Sequence, residues 1–148
     1  MLEGTHLMSG DADGAAMTGP HAGSGSYRER GAEIRRTVLG DRHANPPAPP
    51  GPLGSVWREH SDAVAWGQVW TRPGLDLRLR TICTVAVLCA LGEHQQLATH
   101  IRGALRQGVT PAELAEIFIH VGSYAGAPKA ASAITIADTL LADYLEQQ

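Results

Sequence analysis

Helical spacing brings few polar side chains of this sequence together. Gln96 and His100 stand one turn apart, as do Glu116 and His120, and Tyr124 lies a further turn beyond His120. Arg102 and Arg106 form another i, i+4 pair. Imidazole is the side chain whose ordinary pKa lies near neutrality, so the two histidines are the residues best suited to move or hold a proton. Each also has a plainer reading as a surface or hydrogen-bonded helix residue. His100 is the more suggestive, because it adjoins the apolar stripe at Ile101. A metal centre built on Glu116 and His120 would need a third ligand such as His100, and none stands at a telling spacing, so no metal is expected. The sequence has no Ser-His-Asp constellation, phosphate-binding glycine loop or dinucleotide fingerprint.

The elements that must position these groups read as helices, with no convincing strand. Residues 81–91 (TICTVAVLCAL) carry no charge, and apolar residues occupy every face. Such a helix is expected to be enclosed by neighbours. Its eleven residues are too few to cross a bilayer, which takes about 20. Cys83 and Cys89 both fall on it, about 9 Å apart along the axis and on different faces. They are therefore expected to form neither a disulfide nor a redox pair but to act as small core residues. Before this helix, 27–39 predicts an exposed amphipathic helix ending at Gly40. The run NPPAPPGP (45–52) predicts an extended connector, and 55–66 a second helix bearing Val56, Trp57, Val64 and Ala65. Pro73-Gly74 makes a turn. After Gly92, a left-handed cap, residues 93–107 place Leu97, Ile101, Ala104 and Leu105 on one face. Thr110-Pro111-Ala112-Glu113 is a capping box with proline at the first helical position, leading into a stripe of Leu114, Ile117, Phe118 and Val121. Pro128 opens the last helix, expected to turn Ile134, Ala137, Leu141 and Leu145 inward.

The 148 residues suffice for one domain with a core. Residues 1–26 are glycine-rich without apolar periodicity and are expected to be a flexible leader; the opening MLEGTHL reads as an addition ahead of a native start at Met8. The helical domain then spans 27–148. A formal charge of −3 and a pI near 6.1 disfavour nucleic-acid and membrane partners, which call for a basic face. Neither a basic n-region nor an apolar h-region opens the chain, so a cytoplasmic location is expected.

The segments RRTVLGD (35–41), AWGQVWTRPGL (65–75), 80–91, HIRGALRQGVT (100–110) and YAGAP (124–128), in order and spacing, resemble the carboxymuconolactone decarboxylase family, in its γ-carboxymuconolactone decarboxylase branch. The sister alkylhydroperoxidase-D-like branch works through a Cys-x-x-Cys pair that this chain lacks. The resemblance implies an all-α fold centred on a helical hairpin, shared with the alkylhydroperoxidase-D-like proteins, and homotrimers or homohexamers whose subunits share apolar helix faces. It also implies a decarboxylation that needs no cofactor, because an unsaturated lactone acid carries its own electron sink. Loss of CO₂ leaves an enolate that the protein must stabilise and reprotonate. In that reading Arg80 clamps a carboxylate and His100 donates a proton or stabilises the enolate, with His120 as a further catalytic candidate. Trp66, Trp70 and Tyr124 wall the pocket, with Glu116 and Gln96 beside the substrate.

The chain departs from the branch at four polar positions. Val64 and Thr135 stand where the branch carries histidine, Gln96 where an acid is usual, and His120 where glutamine is usual. These changes keep a second reading open: a family member in a biosynthetic pathway, catalysing a cofactor-free isomerisation, cyclisation, dehydration or decarboxylation of a larger, less charged substrate. A third is a non-catalytic oligomeric or ligand-binding protein, in which Arg80 and His100 would be replaceable.

Overall fold

The computed structural model describes residues 25–41 and 52–145, and among them every regular element is helical. Helix α1 spans Tyr27–Leu39, α2 Pro52–Ser61, α3 Leu77–Leu91, α4 His94–Arg106, α5 Pro111–Ala125 and α6 Ala127–Leu145. Between α2 and α3, Asp62–Val69 forms a π-helical segment. The leader 1–24 and most of the proline-rich connector lie outside the described residues, but Pro52, assigned above to the connector, opens α2. The described residues begin at Gly25, slightly before Tyr27. Ser26 caps α1 in a reciprocal box with Glu29, satisfying donors that the first helical turn leaves open.

Local chemistry explains most boundaries. Asp76 accepts a hydrogen bond from the Leu79 N–H and starts α3; Gly92, at φ 77°, closes it in the left-handed conformation. Thr110 and Glu113 form their capping box, with Pro111 at the helix start. The Thr110 backbone N–H, then Arg78, then the Thr110 hydroxyl hold the Glu113 carboxyl down at about 2, so the pair Arg78–Glu113 ties the first turns of α3 and α5 together.

Helices α3 to α6 pack around one core in which Phe118, Leu97, Ile101, Leu114, Val85 and Val109 are fully buried. Each such side chain contributes on the order of 1.5–3 kcal/mol. Within a single chain, however, α3 is not enclosed. Its neighbours cover the side bearing Thr81, Val85 and Cys89, whereas Cys83, Val87 and Leu91 are exposed. The uncharged sequence therefore buries one face and leaves another open, and Cys83 is a surface residue. Both cysteines are free. The last helix is rotated from the expected register: Ala130, Ala133, Ala137 and Leu140 face inward and Ile134 is part-exposed. Small residues let α6 lie close to α5, where a Cβ on Gly122 would come 2.9 Å from Ala130 Cβ.

The expected second helix changes character at Asp62. The Trp70 N–H donates to the Ala65 carbonyl, a five-residue spacing, at 3.1 Å, which is the wider π-helical turn. Helix α1 lies across this wide turn, so it is not the detached, exposed helix its charges suggest. A Cβ on Gly31 would stand 1.9 Å from the Asp62 carbonyl oxygen, and one on Gly67 would stand 2.2 Å from the Tyr27 carbonyl oxygen. Val38, Leu39 and Trp66 make a second small core there, flanked by Ile34, Trp70 and Leu77. Gln107 Nε2 donates to the Thr37 carbonyl at 3.2 Å and joins α1 to the end of α4.

Because backbone, not a flexible side chain, opposes those two glycines, Gly31→Ala and Gly67→Ala are expected to destabilise by at least about 3 kcal/mol, the upper range for overpacking. Gly74→Ala, where an added Cβ meets nothing within 4 Å, is expected to change little. Urea unfolding of the three variants checks the contrast.

Candidate active site

His100 sits on α4 at the join between the two cores and is 8% exposed. Its ring lies parallel to the Trp66 indole, with centroids 6.1 Å apart and planes 5° apart. Trp70 stands at 6.3 Å, and the two indoles stack on each other at 4.6 Å. The π-helical segment produces this arrangement: it carries Trp66 buried toward α4 and delivers Trp70 one turn later, where Thr71 donates its hydroxyl back to the Gly67 carbonyl. The Nδ1 of His100 is buried and has no hydrogen-bond partner, and burial holds its imidazole down at about 4. Near neutral pH the ring is therefore uncharged, able to donate through one nitrogen and accept through the other, and is not an imidazolium acid.

Trp70 also belongs to the wall of a neighbouring cleft of about 550 Å³ between α1 and the segment leading into α3. Ile34, Pro73, Leu75 and Leu77 give it apolar sides; Arg30, Glu33, Arg72 and Asp76 place charges of both signs around it, with Thr37 among them. Arg80, at the start of α3, does not line this cleft; its Nη2 donates to the Arg72 carbonyl at 2.8 Å and its Nε is buried without a partner. The guanidinium thus braces the Trp-Thr-Arg-Pro turn.

Of the residues singled out from sequence, the structure brings together His100, Trp66 and Trp70. Tyr124 and His120 form a separate pair on α5, with ring centroids 4.8 Å apart. Tyr124 is 82% exposed, and His120, Glu116 and Gln96 are exposed as well. Within one chain these four do not join the tryptophan–histidine cluster. Among the described residues no group of three His, Cys, Asp or Glu side chains is placed to hold a metal ion, and no helix is long and apolar enough to cross a membrane.

Sequence reasoning missed the ion pair beneath the cluster. Arg35 Nη1 of α1 donates to Asp62 Oδ1 at 2.9 Å, and the two side chains are 11% and 9% exposed. The available signal was Asp62 one turn before Trp66 on an otherwise apolar stretch, since an acid there requires a cationic partner once buried.

The neutral buried imidazole sets a stability signature. Between about pH 4 and the ordinary value of 6.5, the unfolded chain binds a proton at His100 that the folded chain does not. This contribution is therefore complete above pH 6.5 and falls as pH drops toward 4. At roughly 1.4 kcal/mol per pH unit, wild type is expected to lose about 2–3 kcal/mol more than His100→Gln between pH 7 and pH 4.5. Urea unfolding of both proteins at the two pH values measures the difference, and parallel losses would contradict a neutral buried ring.

Residues 57–139 match the model of the carboxymuconolactone decarboxylase family, a stretch that includes Trp66, Trp70, Arg80 and His100. Over 116 residues the chain is 36% identical to the 4-carboxymuconolactone decarboxylase of Acinetobacter baylyi, covering 78% of this chain and 87% of that one. Over 127 residues it is 32% identical to the nitrosuccinic acid decarboxylase npaB of Metarhizium robertsii, covering 80% and 84%. An uncharacterized 15.0 kDa protein of Paracoccus denitrificans is 30% identical over 84 residues, 55% of this chain and 63% of that one. With more than half of the chain inside the family match and two relatives aligned over most of their length, the chain belongs to the carboxymuconolactone decarboxylase family of enzymes.

Proposed function

We propose that this protein is a decarboxylase that acts without a cofactor on an unsaturated lactone acid of the carboxymuconolactone type. Two relatives bearing decarboxylase names support the reaction class. The observation that carries the reading at residue level is the uncharged His100, stacked on Trp66 and beside Trp70, with Nδ1 unpartnered.

In this reading the substrate lies against the tryptophans with its lactone carbonyl toward His100. The bond from carbon to the carboxylate breaks and CO₂ leaves. The electron pair passes through the conjugated system to the carbonyl oxygen, forming an enolate. A neutral imidazole stabilises that oxygen by donating an N–H hydrogen bond in a site shielded from water, where such a bond is strongest. Since the ring holds no extra proton near neutral pH, the role left to His100 is enolate stabiliser, and solvent entering by the cleft reprotonates carbon. Arg80 holds the turn that carries Trp70 and supplies the nearby positive charge for a carboxylate. Tyr124, His120, Glu116 and Gln96 reach a substrate only where a second subunit brings them to it. The exposed stripe Leu79, Cys83, Val87 and Leu91 on α3 supports a homotrimer or homohexamer in which subunits cover one another's apolar faces.

One observation favours the alternative of a larger, less charged substrate. The cleft beside Trp70 combines apolar walls with Glu33 and Asp76 as well as Arg30 and Arg72, so it offers no excess of cations for a multiply charged acid.

Purified protein incubated with 4-carboxymuconolactone is expected to release CO₂. His100→Ala should lower kcat by about 10²-fold or more, the range for losing a donor to a developing oxyanion, with no fall in activity between pH 8 and 5.5. A folded, assembled protein that releases no CO₂ would transfer the case to the alternative. Light scattering on eluted protein tests assembly, and a stable monomer would contradict the shared faces.

A further inference from the structure

Arg35 and Asp62 have no place in the chemistry above, yet they lie directly behind it. Asp62 opens the π-helical segment, one turn before Trp66 and two before Trp70, and it is 6% exposed. Arg35 reaches it from α1 across the contact where Gly31 and Gly67 bring the two backbones together. Arg58, one turn before Asp62, lies close enough to Arg35 to oppose its charge. The carboxylate of Asp62 is thus the group that lets a buried guanidinium sit against a second cation nearby. A second ion pair, Arg28–Glu59, links α1 to α2 just before the segment, but both of its side chains are largely exposed, so it constrains the segment less than the buried Arg35–Asp62 pair. The apolar contacts of Val38, Leu39, Ile34 and Trp66 constrain depth more than direction.

We propose that the Arg35–Asp62 pair is the positioning element of the active site: by pinning α1 to the first turn of the π-helical segment, it sets where Trp66 and Trp70 lie and so fixes the seat and plane of the His100 ring. The pair touches no reacting atom. It acts through the two indoles, whose parallel and tilted packing against the imidazole depends on the rotation of the segment that carries them. Arg35 lies outside the stretch 57–139 that matches the family model, so α1 contributes to the site from beyond the matched region. The proposal rests on the role given to His100 above, but it can be read without any turnover.

The test uses full-length protein and the variants Asp62→Asn, Arg35→Gln and Arg35→Lys, with the His100 ring followed by NMR titration. In wild type the ring should titrate near 4. In Asp62→Asn and Arg35→Gln, loosened tryptophans admit water, and the titration should move up by at least about one pH unit. Arg35→Lys, which keeps the charge and loses only the planar fork, should fold and fall between. With 4-carboxymuconolactone, kcat should drop about tenfold or more in the first two variants, with KM changing less than about threefold, and recover in part in Arg35→Lys. Variants that unfold more easily but leave the His100 titration in place would overturn the proposal, because the pair would then be scaffold alone. If Asp62→Asn does not fold, Arg35→Lys decides by the same titration. If wild type releases no CO₂, the titration still decides the positioning role, so a wrong substrate and a wrong positioning role give different results.

Discussion

The arrangement of this protein depends on one close backbone contact, the crossing of α1 over the π-helical segment at Gly31 and Gly67. Carbonyl and amide groups there occupy the space where any side chain would begin, and that proximity lets the Arg35–Asp62 pair form out of water. A buried ion pair is a poor source of stability by itself, since desolvation consumes most of the attraction. What it supplies is direction. The glycine contact already limits rotation of the segment, and a guanidinium and a carboxylate 2.9 Å apart narrow it further.

The wider helical turn lies at that same contact. Across the wider turn at Ala65–Trp70 the two indoles stay stacked on each other, with Trp66 buried and Trp70 reaching the cleft. Trp66 thus lies buried against His100, and Trp70 is shared between His100 and the cleft. Burial between them strips the imidazole of water and keeps it uncharged. A decarboxylation with the electron sink in the substrate needs a hydrogen-bond donor in a dry site more than it needs a strong acid, and a neutral histidine fits that need.

The two cores divide the labour. Helices α3 to α6 carry the bulk of the buried apolar surface, and their boundaries rest on local devices such as the Asp76 cap, the Gly92 terminus and the Thr110–Glu113 box. The smaller core, made by α1 and the π-helical segment, holds fewer apolar side chains and contains the polar pair. His100 belongs to a helix of the larger core but faces the smaller one, so its environment is set by an element far from it in sequence.

What could be read from the sequence alone follows from interactions between near neighbours. Capping chemistry, the stripe of Leu114, Ile117, Phe118 and Val121, and the turn at Pro73-Gly74 are local, and the helices around them stand where residue spacing puts them. The family resemblance of the segments that contain them also singled out His100, Trp66 and Trp70, and the structure brings these three rings together. The tertiary structure decided the rest, because each remaining feature depends on a partner distant in the chain. The uncharged run of α3 has one covered and one open face only because its neighbours lie on one side. Periodicity could not choose the inward face of α6, since small alanines and larger isoleucines both fit an apolar stripe, and close approach to α5 selected the alanines. The π-helical turn, the burial of Arg35 with Asp62 and the uncharged state of His100 arise from α1 crossing a segment some thirty residues away, and no spacing within either stretch encodes that crossing.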